Sequence, residues 1–216
     1  MKAMILAAGR GTRLAPLTDT TPKPLLPVQG KPLIEWQIMH LRDAGITELV
    51  INTYHLGEQI VAALGDGERL GVSIQYSRES ELLETAGGIK QALPLLGDAP
   101  FVLLNGDIWT DFDFTTLPAR PPRHCPAHIV LTATPPWRDA GDFDYDQGYV
   151  TQRGSGYVYC GIAILEPDLI AARPETVFSL RDVFFELIDV HALSAQTFHG
   201  EWLDIGTLEQ YRSISR

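Results

Sequence analysis

Leu6-Ala7-Ala8-Gly9-Arg10-Gly11-Thr12-Arg13-Leu14 closes the short apolar run that starts at Met4, and the reading of this stretch decides the fold. A run that is apolar at every position is a strand buried on both faces, as in a parallel sheet covered by helices. The glycines at 9 and 11 let the backbone approach a ligand closely, and amides in such a loop converge on phosphate oxygens. No Lys-Ser or Lys-Thr pair closes the loop, so it is not a P-loop. Leu14 stands where a dinucleotide fingerprint needs its third glycine. What remains is a phosphate cradle of another kind, with Thr12 and Arg13 as its polar side chains.

Outward from this loop, the chain alternates strands and helices. The apolar spacing predicts a helix over Pro32–Ala44, opened by proline and stopped by Gly45. A strand at Leu49–Ile51, a helix at Glu58–Leu64, a strand at Val72–Tyr76, a helix at Ala86–Leu96 and a strand at Phe101–Leu104 follow. This repetition predicts an α/β fold, Rossmann-like, with three α/β/α layers and a mostly parallel central sheet. Ligands of such sheets bind beyond the carboxyl ends of the strands. From Asp111 to Gly156 the pattern breaks, and six of the fifteen prolines lie between Pro118 and Pro136. One strand is expected there, at Ile129–Ala133. Beyond it, Tyr157–Leu165 reads as a strand, Ser179–Asp189 as a helix, Ala195–Phe198 as extended and Thr207–Ser213 as a helix. The expected organisation is a single domain over 1–216, with a nucleotide-binding half (1–110) and a sugar-phosphate-binding half (111–216).

Charge narrows the ligand class. With 17 basic and 27 acidic residues the net charge is −10, which disfavours nucleic acid as a partner. Residues 1–31 oppose this trend, setting Lys2, Arg10, Arg13, Lys23 and Lys31 against the single acid Asp19. A basic segment on an acidic protein attracts a small polyanion and repels large ones. No apolar run has the length of a membrane span, and Gly9 and Arg10 interrupt the leading run before it resembles a signal peptide. The two cysteines, Cys125 and Cys160, are too few for a disulfide scaffold, so reduced buried thiols in the cytoplasm are expected.

Ten residues beyond Arg13, Thr21-Pro22-Lys23-Pro24-Leu25-Leu26-Pro27 holds a lysine between two prolines. The prolines fix an extended backbone and present the ammonium as a point charge suited to a phosphate. Leu83-Glu84-Thr85-Ala86-Gly87-Gly88-Ile89 reads as a helix start, with Thr85 as its cap and free amides at the glycines. Gln75, ending the third strand, has the donors and acceptors to meet a base edge. Two aspartates, Asp107 after Asn105-Gly106 and Asp204 within Trp202-Leu203-Asp204-Ile205-Gly206, are turn residues when taken alone.

The string Leu6–Arg13 joined to Pro22–Pro27 resembles the signature of the sugar-1-phosphate nucleotidylyltransferases. That resemblance implies a reaction between a nucleoside triphosphate and a sugar 1-phosphate that yields a nucleotide sugar and pyrophosphate. It implies that Arg13 and Lys23 are catalytic. Ala8, Gly9, Gly11 and Thr12, together with Arg13 and Lys23, would hold the triphosphate, and Gln75, Thr85, Ala86 and Gly87 the base. Asp107 and Asp204 would hold Mg²⁺, whose preference for carboxylates, phosphate oxygens and water fits such a pair. Leu83-Glu84-Thr85, Gly141-Asp142-Phe143 and Tyr159-Cys160-Gly161-Ile162 further resemble a short uridylyltransferase branch of the family. This implies UTP as donor and N-acetylmuramate 1-phosphate as acceptor, in bacterial cell-wall sugar recycling, with Asn105, Asp142 and Gly161 against the sugar. A monomer or weak homo-oligomer is expected.

Between Gly148 and Gly161 the Glu-Lys-Pro motif common in relatives is missing, and Arg153 is the substitute for its acceptor-phosphate contact. Alternatives within the family are mannose- or heptose-1-phosphate guanylyltransfer and phosphocholine cytidylyltransfer. Outside it stand a glycosyltransferase using Asp111-Phe112-Asp113 and a non-catalytic nucleotide-sugar sensor. The presence of Arg13, Lys23, Asp107 and Asp204 together argues against the last two.

Overall fold

In the computed structural model, which describes residues 1–215, the first apolar run is β1 (Ala3–Leu6), inside a nine-stranded sheet. The first part of the chain continues with α1 (Leu17–Thr20), a small hairpin of β2 (Pro27–Val28) and β3 (Lys31–Pro32), and α2 (Leu33–Asp43). Then come β4 (Glu48–Thr53), α3 (Gly57–Leu64), β5 (Ser73–Arg78), α4 (Glu84–Leu96) and β6 (Phe101–Asn105). The remainder holds β7 (Ile108–Thr110), β8 (Ala127–Ala133), β9 (Phe143–Asp146), β10 (Tyr149–Arg153), β11 (Tyr157–Leu165) and α5 (Asp168–Ala171). It ends with α6 (Leu180–Asp189), β12 (Leu193–Phe198), β13 (Trp202–Asp204) and α7 (Leu208–Ile214).

The strand order is β5-β4-β1-β6-β11-β8-β12-β10-β9. β5, β4, β1 and β6 pair in parallel, β11 is antiparallel to both β6 and β8, and β12 is parallel to β8. Side chains alternate across β1 as the pleat requires. Ala3 and Ile5 join the core under α2 and α3, with Ile34, Ile38, Leu41 and Ile60. Met4 joins the opposite core under α4 and α6, with Ile89, Ala92, Val183 and Phe184. Two cores on two faces of one sheet make the three layers expected from the β-α repetition.

Helix ends follow local chemistry. Gly45, in the left-handed region at φ 81, donates to the Arg42 carbonyl, and Ile46 donates to Leu41, closing α2 in a Schellman arrangement. Ser179 and Thr207 cap α6 and α7 with their hydroxyls. The irregular stretch differs from its reading. Phe143–Asp146 and Tyr149–Arg153 form a hairpin, where only Ile129–Ala133 was expected as a strand. Its turn residues, Gln147 and Gly148, both have positive φ, as do Gln29 and Gly30 in the first hairpin. Tight two-residue hairpins require that conformation, which Asn-Gly signals far more strongly than Gln-Gly.

Cys125 and Cys160 are both buried and free. Among the described residues no helix is long and apolar enough to cross a membrane.

Candidate active site

The cradle after β1 lines a cleft of about 380 Å³ at the carboxyl ends of β1 and β6. Ala8, Gly9, Gly11, Thr12, Arg13, Lys23, Asn105 and Asp107 all face it. Gly11 is left-handed at φ 63, and a Cβ there would stand 2.9 Å from the Thr18 methyl group. Thr18 in turn donates to the Gly11 carbonyl at 2.9 Å, so the loop is locked from beneath. On the β6 side, Gly106 lies so close to β1 that a Cβ would meet the Leu6 carbonyl oxygen at 2.4 Å. Gln37 donates to the carbonyls of Asn105 and Ile108, gripping the turn that presents Asp107.

Lys23 is 8% exposed, and its ammonium donates to the Asp107 carboxylate at 2.8 Å. Asp204 reaches the same place because β13 pairs with β7, setting Asp204 opposite Ile108, while Ile205 donates to the Asp107 carbonyl. Burial and the nearby Asp107 charge raise the Asp204 pKa, against the lowering influence of Lys23, Arg13 and Arg138. One Asp204 carboxylate oxygen, Oδ1, is buried without a hydrogen-bond partner among the described residues. Two carboxylates brought together with an unmatched buried oxygen are a donor set that fits a hard divalent cation. Gly206 makes room for Arg13, since a Cβ there would touch its guanidinium at 3.0 Å.

Several assignments change. Gln75 is exposed in the middle of the edge strand β5, which runs on to Arg78, and it does not line the cleft. Glu79, one residue past that strand, lines it instead. Its carboxylate accepts from Asn52 Nδ2 at 2.6 Å, and Asn52 Oδ1 accepts from the Ala7 amide. Burial raises the Glu79 pKa, while the Asn52 and Leu83 hydrogen bonds lower it. The sequence signal for Glu79 was its place immediately after a strand that ends at Arg78, two residues beyond the expected end at Tyr76.

Thr85 lies inside α4 and does not cap it, although it faces the cleft. Its hydroxyl accepts from the Leu180 amide at 2.8 Å. The Gly87 amide, expected to be free for a ligand, donates to the Phe178 carbonyl, as does the amide of Ala86. A Cβ on Gly87 would sit 2.3 Å from the Thr176 carbonyl oxygen, so this glycine serves close packing. These bonds fasten the start of α6 to the start of α4, and with it a second cleft to the first.

That second cleft, of about 1310 Å³, shares Glu84, Thr85 and Asn105 with the first. Asp142 lines it, accepts from the Tyr159 amide at 3.0 Å and pairs with Arg138 at 3.5 Å. Arg153 lines it too, its guanidinium stacked 4.2 Å from the centre of the Phe185 ring. Gly161 does not. It sits at a bulge of β11 with φ 75, where a Cβ would meet Asn105 at 2.9 Å, so it gives Asn105 space. Sequence reading passed over Tyr159 as a cleft residue. Its hydroxyl is buried without a hydrogen-bond partner among the described residues, and burial raises its pKa strongly.

Residues 2–166 match the nucleotidyl transferase family. The chain is 48% identical to the N-acetylmuramate alpha-1-phosphate uridylyltransferase of Neisseria meningitidis, the alignment covering 96% of this chain and 94% of that protein. It is 33% identical to the protein of the same name from Caulobacter vibrioides, over 94% and 91% of the two chains. A UTP--glucose-1-phosphate uridylyltransferase of Synechocystis is 34% identical, and the alignment spans 61% of that longer protein. Among solved structures, HddC from Yersinia pseudotuberculosis superposes with a TM-score of 0.83 at 24% identity, covering 99% of this chain and 97% of that one. A UDP-glucose pyrophosphorylase bound to UDP-glucose gives 0.79 at 20% identity, covering 99% and 96%. At these identities the structures establish the shared fold.

Proposed function

The chain belongs to the nucleotidyl transferase family, as a sugar-1-phosphate nucleotidyltransferase, and on that premise we propose that it makes UDP-N-acetylmuramate and pyrophosphate from UTP and N-acetylmuramate 1-phosphate. The observation that carries the reaction is the meeting of Arg13, Lys23 and Asp107 in one cleft at the ends of two parallel strands, with Asp204 held close to Asp107 by the β13–β7 pairing. The substrates rest on the 48% identity to the Neisseria protein.

The chemistry is an in-line displacement. A phosphate oxygen of the sugar 1-phosphate attacks the α-phosphorus of UTP, the bond to the bridging oxygen breaks, and pyrophosphate leaves with the electron pair. The attacking oxygen is already anionic, so no general base is needed. The obstacle is repulsion between two anions, which preorganised cations and amides reduce. Lys23 is poised to turn from Asp107 to the transferred phosphoryl, and Arg13 to hold the departing pyrophosphate. Gly9 and Gly11 offer amides at close range, while Glu79 accepts from the imide N–H of the uracil. Asp107 and Asp204 are the residues that would hold Mg²⁺. When bound, the ion supplies charge neutralisation between the two phosphates.

Pyrophosphate release with UTP tests this directly, comparing N-acetylmuramate 1-phosphate with the 1-phosphates of N-acetylglucosamine, glucose and mannose, and UTP with GTP and CTP. Preference for UTP and the muramate is the expected result. Turnover without preference for the muramate overturns the acceptor, and preference for GTP or CTP overturns the donor.

A further inference from the structure

N-acetylmuramate 1-phosphate is anionic at two ends, at the 1-phosphate and at the carboxylate of its lactyl ether. N-acetylglucosamine 1-phosphate has only the first. A site that selects the muramate needs a cation at the end of the acceptor cleft away from the reacting phosphates. We propose that Arg153, supported by Arg181, binds the lactyl carboxylate and thereby selects the acceptor, an inference that rests on the acceptor reading given above.

The cations of the site divide into two groups. Lys23 and Arg13 line the nucleotide cleft, and the charge of Arg138 reaches Asp204 while its guanidinium pairs with Asp142. Arg153 and Arg181 line the acceptor cleft only. Arg153 ends β10, where its exposed guanidinium has no ion pair and no hydrogen bond among the described residues. It lies 4.2 Å from the Phe185 ring centre, and Arg181, one helical turn before Phe185, lies 5.9 Å from it. A guanidinium stacked on a ring keeps its N–H edges free while losing conformational freedom in advance. Those edges form a planar fork that matches a carboxylate.

Three acids line the acceptor cleft, and of these Glu84 has no ion pair among the described residues while the other two lie beside arginines. Asp182 lies 3.6 Å from Arg181, and Asp142 is paired with Arg138. Arg153 is therefore the principal contact and Arg181 the lesser one.

The test compares kcat/KM for the 1-phosphates of N-acetylmuramate and N-acetylglucosamine in the wild type, Arg153→Gln and Arg181→Gln. Calorimetry of UDP-N-acetylmuramate and UDP-N-acetylglucosamine binding gives a readout free of turnover. In Arg153→Gln the muramate preference is expected to fall about tenfold or more by both measures, the size of one lost charge-assisted contact. Arg181→Gln is expected to lower it less. Equal losses on both sugars overturn the inference, because Arg153 then holds the shared 1-phosphate. A wild-type preference that survives in Arg153→Gln also overturns it and leaves the acceptor reading standing. A wild type without preference overturns the acceptor reading, and this inference with it.

Discussion

The two clefts are built by different means. In the nucleotide cleft the polar groups largely satisfy one another before any ligand arrives: Lys23 with Asp107, Asn52 with Glu79 and with the Ala7 amide. Its shape comes from backbone held at the ends of parallel strands, through Gly11, Gly106 and Gln37. In the acceptor cleft the walls are side chains from a hairpin and a helix, and the informative group is the guanidinium of Arg153, left unmatched among the described residues. A preorganised cleft suits a reaction limited by electrostatics, whereas unmatched groups suit recognition of one particular partner.

The contrast can be broken most directly at Lys23. Lys23→Ala is expected to lower turnover by about 10²-fold or more, the usual loss of one preorganised donor. A steady-state assay showing near-wild-type kcat would remove Lys23 from the chemistry. Next in size is Gly106→Ala, whose Cβ has no room beside the Leu6 carbonyl. Denaturant unfolding should show a loss of about 1–3 kcal/mol, as for overpacked cores. Unaltered stability would mean that the Asn105–Asp107 turn is not fixed by contact with β1.

Tyr159→Phe is expected to act on stability and to leave binding alone. It removes a buried hydroxyl that has no partner among the described residues, so stability should rise by up to about 1 kcal/mol while KM for both substrates stays unchanged. A variant that loses stability would show that the hydroxyl has a partner in solution. The smallest effect is on pH dependence. Burial lowers the pKa of His128, against the Gln196 hydrogen bond, and lowers that of His40, against Asp43 and Asp111. Between the lowered folded values and the ordinary value of 6.5, the unfolded chain binds more protons, so stability is full above 6.5 and declines as pH falls below it. Thermal unfolding of His128→Gln should show a flatter decline than the wild type over that window, and an identical slope would remove His128 from the account.

Legibility in the sequence followed the range of the interactions involved. The β-α alternation, the stop at Gly45 and the two loops bearing Arg13 and Lys23 are local patterns and could be read directly. Gln75 was misplaced because the end of β5 is set by its pairing with β4 as far as Arg78, which moved the cleft position to Glu79. Ala86 and Gly87 were misassigned because nothing near them in the chain announces that Phe178 takes their amides. The hairpin of β9 and β10 escaped notice because Gln-Gly signals a tight turn weakly and its strands are short, with β9 acidic and β10 largely polar.

By itself the sequence determined a glycine-rich loop after a doubly buried strand, a rigidly presented lysine and the layered α/β plan. Each of these follows from backbone preferences and hydrophobic spacing within a few residues. Only the tertiary structure decided that Asp204 stands beside Asp107 through the β13–β7 pairing, that Glu79 replaces Gln75 at the cleft, and that Arg153 lies on Phe185. Those relations join residues far apart in the chain, and they are fixed by sheet register and helix docking, which no local pattern encodes.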